Sequence, residues 1–195
     1  MTTDAVHTLT DEALVEAIVK TNDTLLFEVL YDRYATMVYN KCYGFANSVD
    51  EAKDLTQDVF LRVFVKLASF KGKSKFSTWL YAFTYNHCVN YVTRNTAKKI
   101  EKKAISSDSI ENIREDIDST RELETMRAEK LKKVMELISP EDKMILLLKY
   151  QDSLSIKELS EALDIGESAV KMRLKRAKEK LVHKYDNYTK DGESI

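Results

Sequence analysis

Between Val59 and Ile100 the chain carries no Asp or Glu, although 32 acids occur among its 195 residues. That window holds Arg62, Lys66, Lys71, Lys73, Lys75, Arg94, Lys98 and Lys99, interleaved with Trp79, Tyr81, Phe83, Tyr85 and Tyr91 and with Asn86, His87 and Asn90. Cations along a groove neutralise phosphates, aromatic faces stack on unpaired bases, and a carboxamide can hydrogen-bond a base drawn out of its duplex. Ordinary core packing competes with this reading. One helix cannot expose every face, and for Trp79 and Leu80 packing is the better account. A second basic zone follows near the C-terminus, where Lys171, Arg173, Lys175, Arg176, Lys178, Lys180 and Lys184 face only Glu167 and Glu179. The net charge of −1 therefore conceals two basic zones with acidic sequence between them, a distribution that fits two contacts with one polyanion.

Helices must position these groups. Four Gly and one Pro in 195 residues lie far below the roughly 12% of an average chain, which nearly excludes an all-β fold rich in hairpin turns. Apolar residues at helical spacing mark helices near Asp11 to Lys20 and over Asp23 to Phe45, Asp50 to Leu67 and Phe76 to Arg94. In the second of these the inner positions are Leu26, Leu30, Tyr34, Met37 and Val38. Ser69 to Lys75, with Gly72 and three lysines, reads as a loop. Ser106 to Glu124 is polar and mostly acidic, too poor in large side chains to offset its ordering entropy. Beyond it, Leu131, Val134, Met135 and Ile138 form an apolar face, and Pro140 suits a first helical position. Ser155 and Glu158 form a capping box, and Asp164-Ile165-Gly166 makes a tight turn into a long basic helix, Glu167 to about Lys184. The short helix, turn and long helix form a helix-turn-helix, with Ser168, Lys171, Met172, Lys175, Arg176 and Lys178 on or near its outer face. The expected fold class is all-α: two small helical domains, 1–95 and 123–195, joined by a flexible linker over 96–122.

Other chemistries find little support. No apolar run exceeds five residues, as at Met144 to Leu148, so a membrane span is not expected, and Met1 to Thr10 does not read as a secretion signal. Cys42 and Cys88 make neither a metal spacing nor a disulfide framework, and His7, His87 and His183 are scattered. No Gly-rich phosphate loop or nucleophile elbow is present. The expectation is a cytoplasmic protein that is not an enzyme, with no metal, cofactor or small-molecule substrate.

Three segments, in order, resemble the extracytoplasmic-function sigma factors of bacterial RNA polymerase. They are Asp54-Leu55-Thr56-Gln57-Asp58-Val59-Phe60-Leu61; Phe70-Lys71-Gly72 through Phe76-Ser77-Thr78-Trp79-Leu80-Tyr81; and Leu159 through Leu181. The resemblance covers about 24–95 and 123–185. It implies that Asp54, Gln57, Asp58 and Leu61 bind core polymerase, whose β′ and β subunits are then partners. It implies that Lys71, Lys73, Lys75, Trp79, Tyr85, Asn86 and Asn90 recognise and melt the −10 promoter element, Asn86 against a flipped-out base. Ser168, Lys171, Met172, Lys175 and Arg176 would read the −35 element. An anti-sigma protein is the implied regulator. Asp164 replaces a glycine usual in the turn, and Gly166, Ser168, Met172 and Lys175 depart from common choices, so the −35 sequence does not carry over. A stand-alone helix-turn-helix regulator is the alternative, for which the acid-free aromatic zone is superfluous; a helical enzyme or adaptor would need a catalytic constellation.

Overall fold

The computed structural model describes residues 6, 8–103 and 128–192, and those in regular structure are helical throughout. The first unit is built from α1 (Asp11–Thr21), α2 (Thr24–Tyr43), α3 (Val49–Lys66) and α4 (Phe76–Lys103). Each of the first three starts where a short polar side chain accepts an orphan backbone N–H: Thr10 from Ala13, Asp23 from Leu25, Ser48 from Glu51. Their apolar faces close on one core, in which Leu14, Leu30, Val38, Val59, Phe76 and Leu80 are all but inaccessible. Met37, expected inside, lies at the margin and is 40% exposed.

Helix α4 runs on to Lys103, beyond the expected domain end at residue 95. Residues 96–103 contain Ala, Lys and Glu and no Gly or Pro, so nothing in them stops a helix already under way. The rest of the expected linker lies outside the described residues.

The second unit comprises α5 over residues 128–135, α6 (Pro140–Leu146), α7 (Ile156–Leu163) and α8 (Glu167–Gly192). Ser139 caps α6 and Pro140 occupies its first turn, as the sequence suggested. The helix that Pro140 opens changes character after Leu146: Leu147–Gln151 is a wider π turn, closed by the Asp152 N–H donating to the Leu147 carbonyl at 3.0 Å. That turn aims Asp152 back at the first unit. There its carboxylate meets the Lys41 ammonium, while Lys143 Nζ donates to the Gly44 carbonyl at 2.5 Å. Helices α6 and α7 both touch α4, so the two units stand against each other.

Candidate nucleic-acid interface

The loop carrying Lys71, Lys73 and Lys75 is held at both ends by aromatic packing. Phe70 stacks near Phe76 at 5.5 Å and Trp79 at 5.8 Å between centroids, and Trp79 continues the row to Phe83 at 5.2 Å. Gly72 has φ +64, a left-handed conformation that lets the chain reverse over this short span. Helix α4 has its first turn satisfied from a distance, since the Phe76 N–H donates to Glu12 Oε1 of α1 at 3.0 Å. The three lysines are exposed, and Trp79 is half-buried within the aromatic row.

Asn86 and Asn90 stand on the outer face of α4, both exposed, and line a cleft of about 530 Å³ against α3. The opposite wall includes Asp58 and Leu61, expected to bind polymerase, so two predicted sets share one cleft. Arg62, Lys66, Phe83 and His87, which belong to the acid-free zone but were assigned to neither set, share the same lining. Helical spacing carried the signal: Phe83, Asn86, His87 and Asn90 recur at three and four residues, as do Asp58 and Arg62. His87 Nε2 lies 3.0 Å from Asp58 Oδ2, and Arg62 Nε lies 3.2 Å from the same oxygen. Burial pushes the His87 pKa below its ordinary value; Asp58 opposes this, while Arg62 and Arg94 add to it.

Asp54 and Gln57 are exposed on α3, and Leu61 is 67% exposed despite its apolar side chain. Gln57 and Leu61 also border a second cleft, about 410 Å³, lined by Phe27, Tyr31, Phe60 and Phe64. The exposed ridge of α3 therefore divides an aromatic cleft from a polar one.

Tyr85 does not join Asn86 and Asn90 at the surface. It is 1% exposed, its ring 5.9 Å from Phe45 and 4.9 Å from the Lys41 ammonium. One residue along a helix turns the side chain by about 100°, which carries Tyr85 onto the face packed against α2. Burial, then the Asp152 carboxylate, drives its phenol pKa far upward.

In the second unit Leu159, Val170, Leu174 and Ala177 close α7 on α8. Ser155 and Glu158 satisfy the start of α7 reciprocally, and the Glu158 carboxyl is held below its ordinary range by the Ser155 backbone N–H. Asp164 takes the turn with φ 51, as anticipated for a residue able to enter the left-handed region. Ser168, Lys171, Met172, Lys175 and Arg176 are all exposed. Their spacing of 0, 3, 4, 7 and 8 places them along one side of α8. Lys180, by contrast, is tied to Asp142 at 2.6 Å.

Comparison with known proteins converges on one family. A family model described as "Sigma-70 region 2" matches residues 30–98, and one described as "Sigma-70, region 4" matches residues 128–181. The chain is 30% identical over 175 residues to the ECF RNA polymerase sigma factor SigW of Bacillus subtilis strain 168, covering 84% of this chain and 90% of that protein. It is 30% identical over 183 residues to the ECF RNA polymerase sigma-E factor of Haemophilus influenzae, covering 90% and 95%. Among solved structures, the sigma factor RpoE in complex with the anti-sigma factor NepR, from Bartonella quintana, aligns with TM-score 0.59 at 16% identity over 82% of this chain and 96% of that one. CnrH in complex with the cytosolic domain of CnrY aligns with TM-score 0.58 at 18% identity over 91% and 97%. These likenesses support the all-helical fold.

Proposed function

The chain belongs to the ECF sigma factors of bacterial RNA polymerase, and we propose on that premise how its residues divide the work of an alternative sigma factor. Such a protein binds core polymerase, recognises promoter elements and promotes opening for initiation. The exposed α3 ridge of Asp54, Gln57, Asp58 and Leu61 meets the polymerase, through its β′ subunit. Lys71, Lys73 and Lys75 guide the phosphate backbone of the −10 element. Asn86 and Asn90 hydrogen-bond an extruded base in the cleft between α3 and α4, while Trp79 braces the loop and its row of rings. Tyr85, buried against Phe45 and Lys41 of its own unit, stands outside this set. Ser168, Lys171, Met172, Lys175 and Arg176 read the −35 element, with α8 in the major groove. The working place is the cytoplasm, where polymerase and chromosome are. No helix among the described residues is long and apolar enough to cross a membrane. An anti-sigma protein is the expected regulator, as NepR is in the complex with RpoE from Bartonella quintana.

The observation that carries this reading is that two basic, exposed surfaces occur on separate helical units, each within its own matched sigma region. Charge reversal on α3 tests the polymerase contact. Asp58 is a poor choice because it also meets Arg62 and His87. Asp54→Lys combined with Leu61→Asp alters two exposed side chains, so the fold should survive. Wild-type chain should co-elute with core polymerase in gel filtration and give initiation where core alone gives none. The double variant should keep its circular dichroism and lose co-elution. Undiminished co-elution of the variant would remove the α3 ridge from the interface, and duplex binding without any polymerase association would favour a stand-alone regulator.

A further inference from the structure

Two thiols that the function leaves unused meet inside the first unit. Cys42 stands in the last turn of α2 and Cys88 in the middle of α4, 46 residues apart in sequence, so no spacing motif announces them. Both are wholly buried and both are free. The Cys88 S–H donates to the Cys42 sulfur at 3.9 Å. A disulfide needs its sulfurs about 2.05 Å apart, a gap closed by turning the side chains with a small shift of one helix.

The two sulfurs are unlike. The Cys88 S–H holds the Cys42 thiol below its ordinary pKa, against the upward effect of burial, and the Thr56 hydroxyl adds to the lowering. The same contact, with burial, pushes the Cys88 thiol far upward. Cys42 is therefore the better nucleophile and Cys88 the thiol that follows it. A buried cysteine alone reacts slowly, and its sulfenic acid can run on to sulfinic acid; a second sulfur in contact captures it first. The pair lies one helical turn from an opening. Phe45, three residues on from Cys42, and Val92, four on from Cys88, both line a cleft of about 270 Å³, which a small uncharged oxidant can enter.

Position on α4 gives the bond a consequence. Each residue turns the side chain by about 100°, so Asn86 and Asn90, two residues to either side of Cys88, lie about 160° around the helix from it. They are exposed on the cleft against α3, while Cys88 faces α2. A bond that draws Cys88 towards α2 draws the opposite face of α4 inward with it. Both carboxamides are then withdrawn from that cleft.

We propose that Cys42 and Cys88 form a peroxide-reactive dithiol whose oxidation to an intramolecular disulfide lowers promoter opening. The Cys42 thiolate attacks one oxygen of hydrogen peroxide and breaks the O–O bond. Cys42 becomes a sulfenic acid, and the other oxygen leaves as hydroxide, which takes up the thiol's proton as water. The Cys88 sulfur then attacks the sulfenic sulfur, forming the S–S bond, and the hydroxyl leaves with the Cys88 proton as a second water. Two thiols lose two electrons and two protons, and the peroxide is reduced to two waters. In a cytoplasm that keeps thiols reduced such a bond is transient, and reduction restores the chain. The effect on opening rests on the sigma-factor reading, whereas the bond is tested without polymerase.

The test treats the purified, reduced full chain with hydrogen peroxide, removes the oxidant, and alkylates in denaturant for intact-mass measurement. The wild type should lose two hydrogens, take up no alkyl group, stay monomeric and yield a peptide pair joined through Cys42 and Cys88. Dithiothreitol should return both thiols, which separates the bond from methionine sulfoxide, a product that survives this reagent. Cys88→Ala should stop at sulfenic and sulfinic acid on Cys42, and Cys42→Ala should leave Cys88 largely unreacted. Added afterwards to core polymerase on a duplex promoter, the oxidised wild type should give several-fold less transcript than the reduced chain, and reduction should recover it. Cys42→Ala, with both −10 carboxamides intact, should initiate equally before and after treatment. Circular dichroism checks the fold of both variants, and the wild-type results alone decide if either fails. Two thiols that stay alkylatable, a bond formed only after urea unfolds the chain, or a bond between two chains overturns the proposal. So does the Cys42–Cys88 bond with undiminished transcript. If the bond forms and reverses while even the reduced chain gives no initiation, the dithiol site stands and the sigma-factor reading falls.

Discussion

Asp58 faces two partners in the free chain, Arg62 at 3.2 Å and His87 at 3.0 Å, and it lines the cleft that holds Asn86. His87 is half-buried with its pKa depressed, so folding favours the neutral ring. The unfolded chain then binds the proton more readily than the folded one. The stability tied to neutral His87 is complete above its ordinary value of 6.5 and is lost as pH falls through the lower folded value. His87→Gln should therefore flatten the acid side of the stability curve. Urea midpoints measured from pH 7.5 to 5 should fall less steeply for the variant; parallel curves would mean that His87 titrates as it does in the unfolded chain. Asn86 and Asn90 stood out in the sequence as carboxamides among aromatics and cations, and the structure adds that both are exposed on one cleft. Lys41 was not, although it falls between Val38 and Cys42 on the inner face of α2. A lysine at an apolar position is usually read as a snorkelling side chain, and its partner Asp152 is distant in sequence.

At the level of elements, the start of α4 depends on α1. Glu12 accepts the Phe76 N–H at 3.0 Å, placing a carboxylate at the positive end of the helix that carries the −10 residues. Glu12→Ala should cost about 1 kcal/mol of stability and loosen the lysine loop before it. Glu12→Gln, which keeps an acceptor but no charge, should recover part of the loss. Thermal unfolding of both variants checks this, and equal loss in the two would assign the effect to charge alone. The helices, Pro140 in the first turn of α6, the capping box and the Asp164 turn could be read from the chain because each is encoded within a few residues. The π turn at Leu147–Gln151 could not, since Leu147, Leu148 and Tyr150 also suit an ordinary helix and the choice is made by packing. The prolongation of α4 to Lys103 was hidden because charge runs suggest a linker, whereas Lys, Glu and Ala also favour a helix.

For the whole molecule, the account is that two helical units each read one promoter block, at a separation imposed by polymerase rather than by the free chain. Linking two modest contacts raises the effective concentration of the second, so neither unit need bind tightly alone.

Transcription by core polymerase from a pool of templates with randomised upstream sequence, followed by sequencing of the active templates, tests this most directly. With the wild-type chain the active templates should share two sequence blocks at a constant spacing. Arg176→Ala should relax the upstream block alone, with about 1–3 kcal/mol less discrimination if Arg176 meets a base edge. Asn86→Ala should relax the downstream block alone, and a pre-opened template should rescue it only if strand opening is the step lost. Active templates that share one block, two blocks at no fixed distance, or no sequence beyond what core polymerase alone selects would contradict the account.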